Sequence, residues 1–182
     1  LSAVARRGTD AAATMRGVLE CECARLLPLL DAPDLPRSEL RHVERVARGV
    51  ADDAEIDSVL GALIALLETS CDEQVVLLVD EYDSALPGHK ESKSHWDASC
   101  AEHLDRVLFD TIAHAGGSLR LTCLMGERPG PAELALSQRG VSYRSVTPLS
   151  AWCERRFGFS DDEVQVLLGR VGRNDCLDDA RE

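Results

Sequence analysis

The hydrophobic and polar positions alternate with a helical period from the start of the chain to about Ser70. Three groups of apolar residues recur at spacings of three and four, as on one face of an amphipathic helix. The groups are Met15, Leu19, Cys23, Leu26 and Leu27, then Leu40, Val43, Val46, Ala47 and Val50, and then Ile56, Val59, Leu60, Leu63, Leu66 and Leu67. This pattern predicts a helical N-terminal region.

A different pattern follows, in which five apolar residues, Val75 to Val79, run without a polar break. Such a run predicts a strand that is buried on both faces, as inside a parallel sheet. Asp80 and Glu81 come directly after it, at the end where open α/β sheets bind their ligands. Two interpretations carry equal weight: a nucleotide site that uses the two acids, or a buried strand that runs into an acidic turn.

Helices and strands then alternate. A helix is predicted near Asp97 to Ala115, with Gly116 and Gly117 as its stop, and a second strand from Leu119 to Met125. A short helix near Ala132 to Ser137 and a weaker third strand from Val141 to Val146 follow. Ser160 and Glu163 have the spacing of a capping box that opens a last helix. The order predicts an α/β fold with a parallel sheet flanked by helices.

Composition narrows the class of protein. The 182 residues suit a single domain, with loose ends at residues 1–8 and 174–182, and the net charge of −12 argues against direct nucleic-acid binding. Seven cysteines without a regular spacing indicate a reducing, intracellular and most simply cytoplasmic location. No apolar stretch approaches the length of about 20 residues that a membrane span requires. Because residue 1 is Leu, we expect the chain to be a piece of a longer protein or to be processed.

The sequence resembles a known family at this point. Residues 75–86, Val-Val-Leu-Leu-Val-Asp-Glu-Tyr-Asp-Ser-Ala-Leu, followed by a helix and a strand that ends in Leu124-Met125-Gly126, resemble the AAA-ATPase-like domain often found upstream of a PD-(D/E)xK nuclease-like domain. The segment Phe157 to Val164 is similar to that family's Cys-Gly-Phe-Thr-Glu-Glu-Glu-Val segment. The similarity covers roughly residues 10–171 and is sharpest at the Asp-Glu-Tyr-Asp tetrad.

The resemblance implies a P-loop NTPase-like sheet and the cofactors Mg²⁺ and ATP. It assigns Asp80 to the magnesium side of a Walker B element and Glu81 to the catalytic acid, and it includes Asp83 among the nucleotide-binding residues. A nucleotide would be a partner if a phosphate-binding loop is supplied, and self-association is allowed by the same resemblance.

Two departures from the family bear on activity. No Gly-Lys dipeptide occurs in the chain, so the family's phosphate loop is missing, and Met125 stands where the family has a threonine. Lost charged hydrogen bonds to phosphate cost roughly 1.5–3 kcal/mol each. We therefore expect one of two functions: the Walker B half of a nucleotide-hydrolysing module that does not hydrolyse ATP as an isolated chain, or a degenerate, non-catalytic interaction or regulatory domain.

Other candidate sites are weaker. His95, Cys100 and His103, or Cys21-Glu22-Cys23, would suit a zinc ion only with a second ligand pair, which the spacing does not supply. Among four arginines beyond the second strand, one could act as an arginine finger, but solvated surface arginine is the simpler expectation. They are Arg128, Arg139, Arg155 and Arg156.

Overall fold

A computed structural model describes residues 11–85, 102–127, 129–147 and 159–173 of the chain. The chain divides into two compact units, Leu1–Tyr143 and Arg144–Glu182. The predicted loose ends, residues 1–8 and 174–182, lie outside the described residues.

The first unit begins with three helices: α1 (Ala11–Leu26), α2 (Arg37–Ala47) and α3 (Asp53–Cys71). The predicted helical N-terminal region is thus confirmed. A capping box opens α3, because the Glu55 N–H donates to Asp52 Oδ1 at 2.9 Å and the Asp52 N–H donates to Glu55 Oε2 at 2.9 Å. Asp72 follows the helix as a left-handed C-cap, with φ of 55°.

Two strands, β1 (Val75–Val79) and β2 (Leu119–Leu124), pair in parallel. Their register places Val76 opposite Leu121 and Val79 opposite Leu124. A helix, α4 (102–114), lies between the two strands along the chain, as a parallel pair requires. Within the described residues the sheet has these two strands, so the mixed α/β class with a parallel sheet and flanking helices is confirmed at that level.

The prediction that β1 is buried on both faces was wrong. Leu77 and Val79 are buried, with 7% and 8% of their surface exposed, but Val76 and Leu78 are 48% and 51% exposed. In a run of apolar residues without polar ones, no alternation shows which side chains face solvent. Such a run therefore does not distinguish a strand covered on one face from a strand covered on both faces.

Residues of α4 and of a following helix, α5 (Pro129–Gln138), complete the core of the first unit. The middle of α4, Asp105–Asp110, is a π-helix whose Val107, Leu108 and Phe109 are buried, and the segment packs against α3 and α5. The apolar pattern of this helix also predicts six inward residues, Cys100, Leu104, Val107, Leu108, Thr111 and Ile112. Leu104, Val107, Leu108 and Thr111 are confirmed as buried, Ile112 is half-buried, and Cys100 lies outside the described residues.

No third strand forms at Val141 to Val146, so that prediction was wrong. The described backbone there is irregular, and Tyr143 and Val146 are 48% and 43% exposed. Alternating apolar residues specify a strand only where a sheet edge is available for pairing.

The second unit contributes one described helix, α6 (Asp161–Arg170). Its predicted capping box is confirmed, since the Ser160 N–H donates to Glu163 Oε2 at 2.8 Å and the Glu163 N–H donates to Ser160 Oγ at 3.3 Å. Across the described parts of the chain, every helix is too short or too polar to cross a lipid bilayer.

Candidate functional site

The carboxyl ends of β1 and β2 are joined by two backbone hydrogen bonds that continue the parallel ladder. The Met125 N–H donates to the Val79 carbonyl at 2.8 Å, and the Tyr82 N–H donates to the Met125 carbonyl at 3.1 Å. The acidic turn that follows β1 therefore lies directly beside the residues that follow β2. This is the end of a parallel sheet at which α/β proteins bind ligands.

Asp80 and Glu81 are both exposed in this turn. The Glu81 N–H donates to Asp80 Oδ1 at 3.0 Å, which holds the Asp80 carboxylate against the turn. Glu81 has a left-handed backbone, with φ of 52°. A non-glycine residue adopts that conformation at a cost, and such residues are concentrated at functional sites and switches.

Asp83 and Tyr82 face the opposite way, into the core. Asp83 is 1% exposed and Tyr82 is 5% exposed. The Tyr82 ring meets the Phe109 ring of α4 edge to face, with the ring centroids 6.4 Å apart. Gly126 lies against both Asp83 and Tyr82. A Cβ atom on Gly126 would stand 2.5 Å from Asp83 Oδ1 and 2.8 Å from Tyr82 Cε1, closer than atoms can pack.

The site thus combines two solvent-facing carboxylates with a buried carboxylate beneath them. Carboxylate oxygens are the ligands that Mg²⁺ takes from proteins, usually with several waters retained. On the neighbouring loop Met125 is 44% exposed, and its thioether is at most a weak hydrogen-bond acceptor. Within the described residues no three His, Cys, Asp or Glu side chains form a group that could hold a metal ion. The turn therefore offers at most its two exposed carboxylates as ligands, and Met125 offers no donor to a phosphate.

The structure places Asp80, Glu81, Asp83, Met125 and Gly126 at the same strand ends, with the Asp83 carboxylate buried and the other two acids exposed. Cys21 is exposed, whereas Cys23 is buried, and burial raises the pKa of the Cys23 thiol to about 12, so it stays protonated. Within the described residues no three metal-ligating side chains cluster. His95 and Cys100 lie outside those residues, as do three of the four arginines, Arg128, Arg155 and Arg156.

Arg139 is the one member of that arginine group that the structure describes, and its side chain is only 19% exposed. Its guanidinium forms ion pairs with Asp105 and Asp110, with a distance of 2.8 Å between Arg139 Nη2 and Asp110 Oδ1. Arg139 follows α5, so these ion pairs form a clamp between α5 and the π-helical segment of α4. Hydrogen bonds to these carboxylates raise its pKa above the usual value. Its guanidinium is therefore occupied within the chain.

A cavity of about 430 Å³ lies between α3 and α4, away from the acidic turn. Its wall includes Asp57, whose Oδ2 accepts from Arg106 Nε at 2.8 Å and whose Oδ1 lies 2.6 Å from His103 Nδ1. Asp57 Oδ1 is buried, and among the described residues no group, His103 included, meets it with hydrogen-bond geometry. Sequence reasoning missed this cluster because Asp57 and Arg106 are 49 residues apart, without a motif to join them.

Comparison with protein-family models, with curated proteins and with solved structures found no match to this chain. Its function is accordingly argued from the chemistry and geometry of the acidic turn.

Proposed function

We propose that this chain carries the acidic half of a nucleotide-binding and hydrolysis site, the Walker B half of an AAA-ATPase-like module. In this proposal Asp80 holds Mg²⁺ beside the phosphates and Glu81 orients the attacking water. Mg²⁺ would supply charge neutralisation at the phosphates. The phosphate-gripping half must come from sequence that this chain lacks, since it has no Gly-Lys dipeptide.

One observation carries the proposal: a left-handed, exposed glutamate follows an exposed aspartate at the joined carboxyl ends of two parallel strands. A glutamate at φ of 52° is a strained choice for a turn, because Gly or Asn adopts that conformation at a lower cost. Retention of the carboxylate against that cost favours a chemical role for it.

The test is whether the full chain binds ATP in a Mg²⁺-dependent manner, and ligand-observed NMR measures this binding. Without the phosphate loop we expect a Kd in the millimolar range, which corresponds to roughly −4 kcal/mol. Asp80→Asn should weaken Mg²⁺-dependent binding at least about tenfold, since it replaces a charged oxygen ligand of the cation. Asp34→Asn, an exposed loop acid, is the matched control and should leave it unchanged.

Two results would contradict the proposal. One is ATP binding that is independent of Mg²⁺. The other is Mg²⁺-dependent binding that Asp80→Asn and Asp34→Asn weaken equally, since that would reflect the general negative charge of the surface. In a longer polypeptide with a Gly-Lys-Ser/Thr loop upstream, Glu81→Gln should abolish hydrolysis while ATP still binds.

A second candidate, a non-catalytic interaction domain that self-associates, is favoured by the uncovered face of the sheet. Val76, Leu78 and Leu121 present apolar side chains there that are 48%, 51% and 56% exposed, whereas parallel sheets are normally covered on both faces. Leu121→Gln should then reduce self-association, measured by analytical ultracentrifugation at increasing protein concentration. Leu134→Gln, which changes an exposed leucine on α5, is the control and should leave self-association unchanged. Saturable Mg²⁺-dependent ATP binding would count against a non-catalytic domain.

A further inference from the structure

Asp83 and Gly126, which follow β1 and β2, contact each other. The nucleotide site proposed above uses Asp80 and Glu81 and does not involve this contact. Asp83 is 1% exposed, so its carboxylate does not face the solvent where Asp80 and Glu81 lie. Gly126 has no side chain, and the space that a Cβ would occupy is already filled by the Asp83 carboxylate and the Tyr82 ring. The two loops are therefore in direct contact at this point.

The backbone on both sides of the Asp80–Glu81 pair is bonded to the neighbouring loop. Val79 accepts a hydrogen bond from the Met125 N–H at 2.8 Å, and the Tyr82 N–H donates to the Met125 carbonyl at 3.1 Å. Both ends of the pair are therefore held by Met125, next to Gly126. Glu81 spans the gap between them with a left-handed φ of 52°, a conformation that costs a non-glycine residue energy.

We propose that Asp83 is a positioning residue, which acts with Gly126 to hold Glu81 in its left-handed conformation and so to aim the acid pair. The inference rests on the proposed function for its chemical meaning. It assigns Asp83 a role different from the nucleotide contact that the family resemblance implies.

The first measurement is the backbone φ of Glu81, derived from NMR chemical shifts in the full chain. Asp83→Ala and Gly126→Ala should each move Glu81 out of the left-handed region, while Asp72, which has φ of 55° at the end of α3, should keep its own. Gly117→Ala is the matched control at the amino end of β2, because a Cβ there meets nothing within 4 Å. An unchanged Glu81 φ in folded Asp83→Ala or Gly126→Ala protein would overturn the proposal.

The second measurement separates positioning from direct coordination through Mg²⁺-dependent ATP binding. Asp83→Asn keeps the size of the side chain and one of its two acceptor oxygens, so it should retain Glu81 φ and most of the affinity. Asp83→Ala should weaken binding by about 10- to 100-fold, as loss of outer-sphere partners does. A loss in Asp83→Asn as large as that in Asp80→Asn would identify Asp83 as a ligand and overturn the proposal.

A double-mutant cycle tests whether the two residues act through each other. Shortening residue 83 removes one of the two groups that a Cβ on Gly126 would meet, while the Tyr82 ring remains. Gly126→Ala should therefore have a smaller effect on Glu81 φ in an Asp83→Ala background than alone. Additive effects would contradict the contact. If the unaltered chain shows no Mg²⁺-dependent ATP binding, the proposed function fails, whereas the φ measurements and the cycle still decide the positioning role.

Discussion

At the scale of single residues, Glu81 is where conformation and chemistry conflict. Its side chain is exposed and its φ is 52°. That conformation disfavours an L-residue with a long side chain, so stability alone would favour glycine at this position. The conflict is typical of a site where local strain is maintained for function.

Replacing Glu81 by glycine should therefore stabilise the fold while removing the function. The strain of the left-handed conformation is relieved, and after the entropy cost of glycine the expected gain is about 0.5–1 kcal/mol in the free energy of unfolding. Urea denaturation measures it, with Asp72→Gly at the end of α3 as a non-functional control of similar φ. A gain for Asp72→Gly but a loss for Glu81→Gly would show that Glu81 is not strained.

Some residues of the candidate site could be predicted from the sequence, and others could not. The position of Asp80 and Glu81 at the end of a strand could be predicted from the apolar run and the acids alone. The burial of Asp83 could not, because it depends on Gly126, a residue distant along the chain that lies on the other strand's loop. A sequence shows spacing along the chain, whereas this contact is set by the strand pairing.

At the scale of elements, the beginning of α3 links two helices through Glu55. The Glu55 carboxylate caps its own helix and accepts from Arg45 Nε of α2 at 2.7 Å. The Arg45 side chain, and then the Asp52 backbone N–H, lower the pKa of Glu55 to about 2 from its usual 4.5. Sequence patterning located the helix start, but the partner from α2 was not apparent from it.

The stability that Glu55 provides should depend on pH. Because its pKa in the folded chain is depressed, its contribution is present above pH 4.5 and is lost as the pH falls from 4.5 towards 2. Thermal unfolding should show Glu55→Gln less stable than the unaltered chain at pH 7, with the difference shrinking across that window. Glu44→Gln, which loses only a contact of 3.8 Å to Arg48, is the control and should have a small effect throughout. A Glu55→Gln difference that does not shrink below pH 4.5 would contradict this account.

The clamp between α4 and α5 gives a second prediction at this scale. Arg139 bonds both Asp105 and Asp110 with a planar guanidinium, a geometry that an ammonium cannot reproduce. Arg139→Lys should therefore cost roughly 1 kcal/mol of unfolding free energy, within the range for charged hydrogen bonds at a partly exposed site. Arg25→Lys, whose exposed side chain pairs with Glu22 on the same helix, is the control. Equal effects of the two changes would show that the bridge between helices adds nothing.

At the scale of the whole molecule, the buried apolar residues that the structure describes all belong to the first unit. Most of them come from the three N-terminal helices, β1, α4 and α5, and Leu30, Leu35 and Tyr82 come from the connections. Helical periodicity therefore predicted most of this core correctly. The errors concern the sheet: one face of β1 is uncovered, and a third strand is absent from the described residues. Strand predictions need a pairing partner, and a single chain's local pattern does not reveal one.

The concentration of the core predicts that residues 1–143 fold by themselves. Far-UV circular dichroism of that polypeptide should give a cooperative thermal transition close to the corresponding transition in the full chain. A non-cooperative or strongly lowered transition would mean that residues 144–182 are required for the first unit to fold.

The central claim is that Asp80 and Glu81 meet a metal-bound nucleotide at the joined ends of β1 and β2. Its most direct test replaces Mg²⁺ by paramagnetic Mn²⁺ in the presence of ATP and records which backbone amide signals broaden. We predict that broadening concentrates at residues 80–82 and 125–126 and disappears in Asp80→Asn. Broadening that is equally strong at other acidic helix starts, such as Asp52–Asp53 and Asp161–Glu163, would contradict the claim.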